Sequence, residues 1–259
     1  MTGRLLGLVF PSIVLAFVLT TDSISQENKA ASLHPLPGDG VADPARKTGF
    51  FPNTSGGVDA LDLGTGKVLW SSKEANRPLV ASENRLFAQK GNGNQLRVVA
   101  LDTAKEGKRV FESPPLPLPG WASVEPAYGR RFASSVRLDK NGLFLTWEAR
   151  AFYAGGAPPP PQVLKAAQMD ASGVVQIDVD SGKIEALDGD KIAAGKFFPM
   201  ASEPANPKVG TVTLVVMDGP AKNAKNPFQQ RRTLQALNEA KEVVWQYDIA
   251  APIFLPPRP

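Results

Sequence analysis

No cysteine occurs anywhere in the chain, and histidine occurs once, at His34. The first absence excludes disulfide staples, thiolate metal sites and thiol nucleophiles. The second excludes a His-based triad combined with a His-ligated metal. His34 itself lies in a Pro- and Gly-containing stretch and reads as an exposed linker residue. Charge of one sign is also lacking: 29 Lys and Arg stand against 25 Asp and Glu, a net of +4. The basic pairs Arg130-Arg131 and Arg231-Arg232 carry no aromatic interleaving, so they read as solvated surface and no nucleic-acid partner is expected. No long amphipathic helical pattern is present.

One apolar stretch stands out. Arg4 precedes Leu5–Leu19, which Thr20, Thr21 and Asp22 interrupt before the small-x-small exit Ser23-Ile24-Ser25. A basic start, a short apolar core and such an exit describe a secretory signal. The stretch falls short of the ~20 residues that span a bilayer, and no second run of spanning length follows. We therefore expect residues 1–25 to be a signal peptide, residues 26–46 a linker and residues 47–257 one folded domain. The protein is expected to be exported to the periplasm or the extracellular space, with no membrane-spanning segment once the signal is removed. At 42% hydrophobic residues, the remainder can build a core without staples.

A hairpin recurs along that remainder. Val58–Trp70 reads as two short strands about a Gly-containing turn. Val98–Phe111, Val174–Ile184 and Thr233–Trp245 repeat the pattern, and Ser135–Trp147 reads as a weaker fifth copy. The marker residues are Asp62, Asp102, Asp139, Asp178 and Asn238, at spacings of 40, 37, 39 and 60. A period of ~40 residues is that of a four-stranded propeller blade. A Lys-, Asn- and Pro-rich insertion (roughly 199–207 and 220–227) lengthens the last interval. Each marker carboxylate or amide is placed to bond its own turn, and Gly66, Gly107, Gly142 and Gly182 supply the positive φ of tight hairpins. Trp70, Trp147 and Trp245, with Phe111 as an approximation, are expected in like seats between neighbouring blades. The copy ending near Ala186 has no such ring, so its junction is expected to be the weakest.

The string Pro78–Asp102, with a return like Thr65–Trp70, resembles the repeat of pyrroloquinoline-quinone-like (PQQ-like) propellers. The likeness covers residues 47–113, 130–187 and 208–255. It implies an all-β fold, a small β-propeller of about five four-stranded blades. At the ends, Thr48–Pro52 matches a second strand without a first, and Ala250–Leu255 a first strand without a second. Pairing of the two would close the ring and remove two exposed edges.

The family's enzymes hold a quinone and a calcium ion on the axis beside a catalytic acid, commonly with a vicinal disulfide. Here the disulfide is impossible and no residue aligns with the acid, so catalytic, cofactor-binding and metal residues are each assigned to none. Gly64-Thr65-Gly66-Lys67 lacks phosphate-loop spacing and reads as a hairpin turn. Asp178-Val179-Asp180-Ser181-Gly182 resembles the start of a calcium loop, but Gly189 stands where its twelfth-position Glu belongs. Asn53-Thr54-Ser55 matches a glycosylation acceptor, a motif frequent by chance. Pro158–Pro161 and Pro114–Pro119 suggest a Pro-rich face. The expected function is a monomeric, non-catalytic scaffold, without cofactor, binding another envelope or extracellular protein. The alternative is a degenerate quinoprotein or another carboxylate-based envelope enzyme.

Overall fold

A computed structural model describes residues 34–125, 129–140, 142–151, 169–187, 206–220 and 230–250. The expected signal, the Pro158–Pro161 run and the tail from residue 251 lie outside these. Strands dominate the described residues, as the alternating patterns require; a single 3-10 turn at Thr103–Lys105 is the exception. No helix among them is long and apolar enough to cross a membrane.

Four antiparallel sheets follow one another along the described chain, each a simple up-and-down meander. The first holds β1 (Pro35–Leu36), β2 (Gly40–Ala42), β3 (Thr48–Pro52), β4 (Val58–Asp62) and β5 (Val68–Ser72). The second holds β6 (Arg77–Ala81), β7 (Arg85–Asn92), β8 (Gln95–Asp102) and β9 (Lys108–Glu112). The third holds β10 (Arg130–Asp139), β11 (Gly142–Ala151), β12 (Met169–Ile177) and β13 (Ile184–Leu187). The fourth holds β14 (Lys208–Val209), β15 (Val212–Pro220), β16 (Gln230–Leu237) and β17 (Val243–Ile249). Order within each sheet equals order in sequence, the outcome expected when short hairpin turns are the only connections.

Two sequence expectations are corrected here. The Ser135–Trp147 copy is no separate repeat: its strands pair with each other and then with β12, so Asp139 and Asp178 belong to one sheet. Among the described residues there are thus four sheets, not five. Residues 35–42, expected as linker, form β1 and β2, and Val41 and Ala42 pair with Phe50 and Gly49 of β3. The sequence pattern places the tail on that edge instead. Of the tail, residues 251–255 lie outside the described residues; just before them, Ile249 bridges Asn53 and the Ala250 amide donates to the Pro52 carbonyl at 2.9 Å.

Among the described residues, three apolar cores lie between the sheets. Val41, Phe50, Ala60, Leu86 and Leu101 fill the space between the first and second sheets. Phe87, Val98, Phe111, Leu145 and Ile177 fill that between the second and third. Leu36, Phe51, Leu61, Leu234, Trp245 and Ile249 fill that between the fourth and first. Each strand facing two cores must be apolar on both faces, which explains continuous runs such as Val98-Val99-Ala100-Leu101.

Candidate functional site

The hairpin turns form as their residue types dictate. Asp62 accepts from the Thr65 amide at 2.8 Å and its hydroxyl at 2.9 Å. Asp178 does the same with Ser181, both at 2.7 Å. Asp102 accepts from the Ala104 and Lys105 amides, and Asn238 from Glu242. These bonds hold Asp62, Asp102 and Asp178 below the usual carboxylate range: the Thr65 hydroxyl leads for Asp62, the Lys105 ammonium for Asp102 and the Ser181 hydroxyl for Asp178. In each, Oδ1 is therefore engaged by its own turn. Asp139 is different and forms an ion pair with Arg137 at 3.3 Å.

The ring residues sort into two kinds. Trp245 of the fourth sheet lies on Gly66 of the first, Trp70 of the first on Gly107 of the second, and Phe111 of the second on Gly182 of the third. A Cβ at any of these glycines would fall within 2.6 Å of the ring, and all three have φ between +70° and +73°. Trp147 does not share this seat. It covers Gly173 of its own sheet, across the β11–β12 ladder. The expected likeness of Trp70, Trp147 and Trp245 thus holds for the first and last, with Phe111 in the third place.

Polar groups missed in the sequence converge elsewhere. Asn53 and Asp59 are buried, and the Asn53 amide donates to Asp59 Oδ1 at 2.6 Å. The Tyr247 hydroxyl, from the fourth sheet, donates to Asp59 Oδ2. Burial first, then that bond and the carboxylate charge, push the Tyr247 phenol well above its ordinary range. A second meeting point surrounds the β1–β2 turn. Asp39 pairs with Arg77 of β6 at 3.3 Å, and Arg77 reaches Ser134 of β10, whose hydroxyl bonds Gln89 at 3.2 Å. Gly38 of the same turn lies against Ile249 and Val216. One turn of the first sheet therefore touches the second and the fourth, and reaches the third through Arg77. Its signal was hidden because Pro35–Ala42 is too short to show a strand period.

Neither constellation assembles a catalytic set. His34 is half-buried, with Nδ1 3.3 Å from Arg46, and burial, more than that cation, lowers its pKa. Among the described residues no three His, Cys, Asp or Glu come together as metal ligands. Thr65 and Lys67 sit in the Asp62 turn, not at a helix start. Asn53 spends its side chain on Ser55, Gly57 and Asp59. Arg130 bonds the Trp121 carbonyl, Arg231 pairs with Asp248 and Arg232 with Asp218. A depression lined by Glu148, Arg150 and Asp170 has its charges paired internally.

The segment Pro114–Pro119 is built as a fixed, presented surface. Ser113, fully buried, locks its start: its amide and hydroxyl both bond Val98. Leu116 is 4% exposed in the core between the second and third sheets, and its amide donates to the Leu96 carbonyl at 2.7 Å. Pro114, Pro115 and Pro117 remain exposed on either side of that anchor. No family model matches the chain, and no curated protein does.

Proposed function

We propose that the chain is an exported, non-catalytic scaffold of the PQQ-like propeller kind that binds another envelope or extracellular protein. In this reading the four sheets are blades, and contact of the fourth with the first closes them into a ring. The ring-on-glycine contacts support it, because the same seat joins the fourth sheet to the first, the first to the second and the second to the third. Propellers are rigid frames whose connecting segments carry recognition. The observation that carries the binding role is Pro114–Pro119, held to the frame by buried Leu116 while three prolines face solvent. Binding by a segment already ordered loses little conformational entropy.

The test is affinity capture from envelope extracts with the full chain and with its Pro115→Ala, Pro117→Ala variant, followed by binding between the purified partners. One envelope protein that binds the purified chain in a fixed stoichiometry is the expected result. Intact mass should place the mature N-terminus at Gln26. A chain retained in the cytoplasm with residues 1–25 intact, or one enriching no envelope protein, would overturn the proposal.

A further inference from the structure

The exposed prolines of the anchored segment differ from ordinary surface in one chemical respect. Pro114, Pro115, Pro117 and Pro119 have no amide hydrogen. The two amides that remain are both used, Leu116 on Leu96 at 2.7 Å and Leu118 on Leu116 at 2.8 Å. From Pro114 to Pro119 the backbone therefore offers no hydrogen-bond donor. The carbonyls divide. Pro114 accepts from the Ser113 hydroxyl, Leu116 from Leu118, and Pro119 from the Ala122 amide. Those of Pro115, Pro117 and Leu118 accept no bond from the described residues.

The surface is an acceptor-only ridge between flat apolar rings. A partner must supply donors and apolar faces together. Phe supplies the face alone, and Lys or Arg would bring a charge to be desolvated against prolyl rings. Trp and Tyr supply both, a ring to stack and an N–H or O–H to donate. We propose that Pro114–Pro119 docks into a Trp- or Tyr-lined groove of the partner protein, with the Pro115 and Pro117 carbonyls accepting from ring donors. This rests on the scaffold reading above and names the chemistry of its partner. Leu118 and Trp121, half-buried on the same core, extend the apolar surface beside the ridge.

Indole and 1-methylindole are the probes, since they share a ring and differ in the donor. Titrated into the full chain carrying carbonyl carbon-13, indole should move the Pro115 and Pro117 carbonyl resonances. It should also bind about fivefold more tightly than 1-methylindole, the effect of one net hydrogen bond. In the Pro115→Ala, Pro117→Ala double variant both carbonyls remain but both exposed rings are lost, so each probe should bind several-fold more weakly. Equal response to both probes, a response centred elsewhere, or undiminished binding of both probes by the double variant would each overturn the proposal. Capture of an envelope partner alongside such a failure leaves the scaffold standing and removes only the ridge. Failure of capture removes the scaffold whatever indole does.

Discussion

At the scale of single residues, glycine decides how the sheets meet. Gly66, Gly107 and Gly182 combine a left-handed backbone with a ring lying where a side chain would begin. Two separate costs follow from adding a methyl group. The backbone cost for an L-residue at such φ is ~1–2 kcal/mol. Displacing the ring adds a share of the ~3–5 kcal/mol that a buried tryptophan contributes. Gly93 separates the two, since its φ is +58° and nothing lies within 4 Å of its Cβ position. Gly93→Ala should cost ~1 kcal/mol, and Gly66→Ala ~3 kcal/mol or more, with Trp245 fluorescence altered only in the second. Urea unfolding of both variants measures this. Equal losses would mean that Trp245 adjusts freely and that its contact with Gly66 is incidental.

At the scale of elements, each ring seat is a set of features that travel together. Trp70 opposes Ala60, Phe111 opposes Ala100 and Trp245 opposes Ala236, and directly beyond each pair the ladder shifts register. The shift leaves one extra residue before the ring: Leu69, Val110 and Val244, all among the exposed large hydrophobics. A bulge bends the strand and re-aims the next side chain. It turns the ring toward the neighbouring sheet and leaves the residue before it in solvent. Leu69→Ser should therefore change stability by less than ~0.5 kcal/mol. Deleting Leu69 should cost ~3 kcal/mol or more, since Trp70 would leave its seat. Chemical denaturation distinguishes the two, and a tolerated deletion would refute the bulge's role.

The third sheet lacks the entire set. β12 and β13 pair without a shift, Ala186 stands opposite Val175, and the matching turn of the fourth sheet carries Lys241 at φ +62° where the others carry glycine. Ring and glycine are thus absent together. The missing ring was legible in the sequence at Ala186, as were the Asp turns and the glycines. The bulge was not, because an extra residue in a short apolar run leaves no mark on a two-residue period. Nor was the true place of Ser135–Trp147. Its Asp-to-Trp spacing equals that of Asp62 and Trp70, yet the glycine that Trp147 covers is Gly173 on the next strand of its own sheet. Spacing along the chain does not show which sheet a ring will face. Asp59, Asn53 and Tyr247 were invisible for a related reason: partners far apart in sequence leave no local pattern.

At the scale of the whole molecule, the first and fourth sheets are joined by more than apolar packing. Trp245 rests on Gly66, the Ala250 amide bonds Pro52, and Tyr247 bonds the buried Asp59, residues 188 positions apart. A contact of that separation forms only after the intervening sheets have brought the ends together. It holds the two halves of the chain in one cooperative unit. Removing the phenol leaves Asp59 Oδ2 buried without its donor, so Tyr247→Phe should lower stability at neutral pH by ~1.5–3 kcal/mol. The pH dependence has a definite sign. The folded phenol titrates above its ordinary 10.0, so the unfolded chain releases that proton first and the folded state loses ground as pH rises past 10. The stability gap between wild type and Tyr247→Phe should be constant below about pH 9 and shrink above pH 10. Urea titrations of both proteins across that range test the junction directly. A gap already absent at pH 7 would show that the Tyr247–Asp59 bond does not help to hold the fourth sheet to the first.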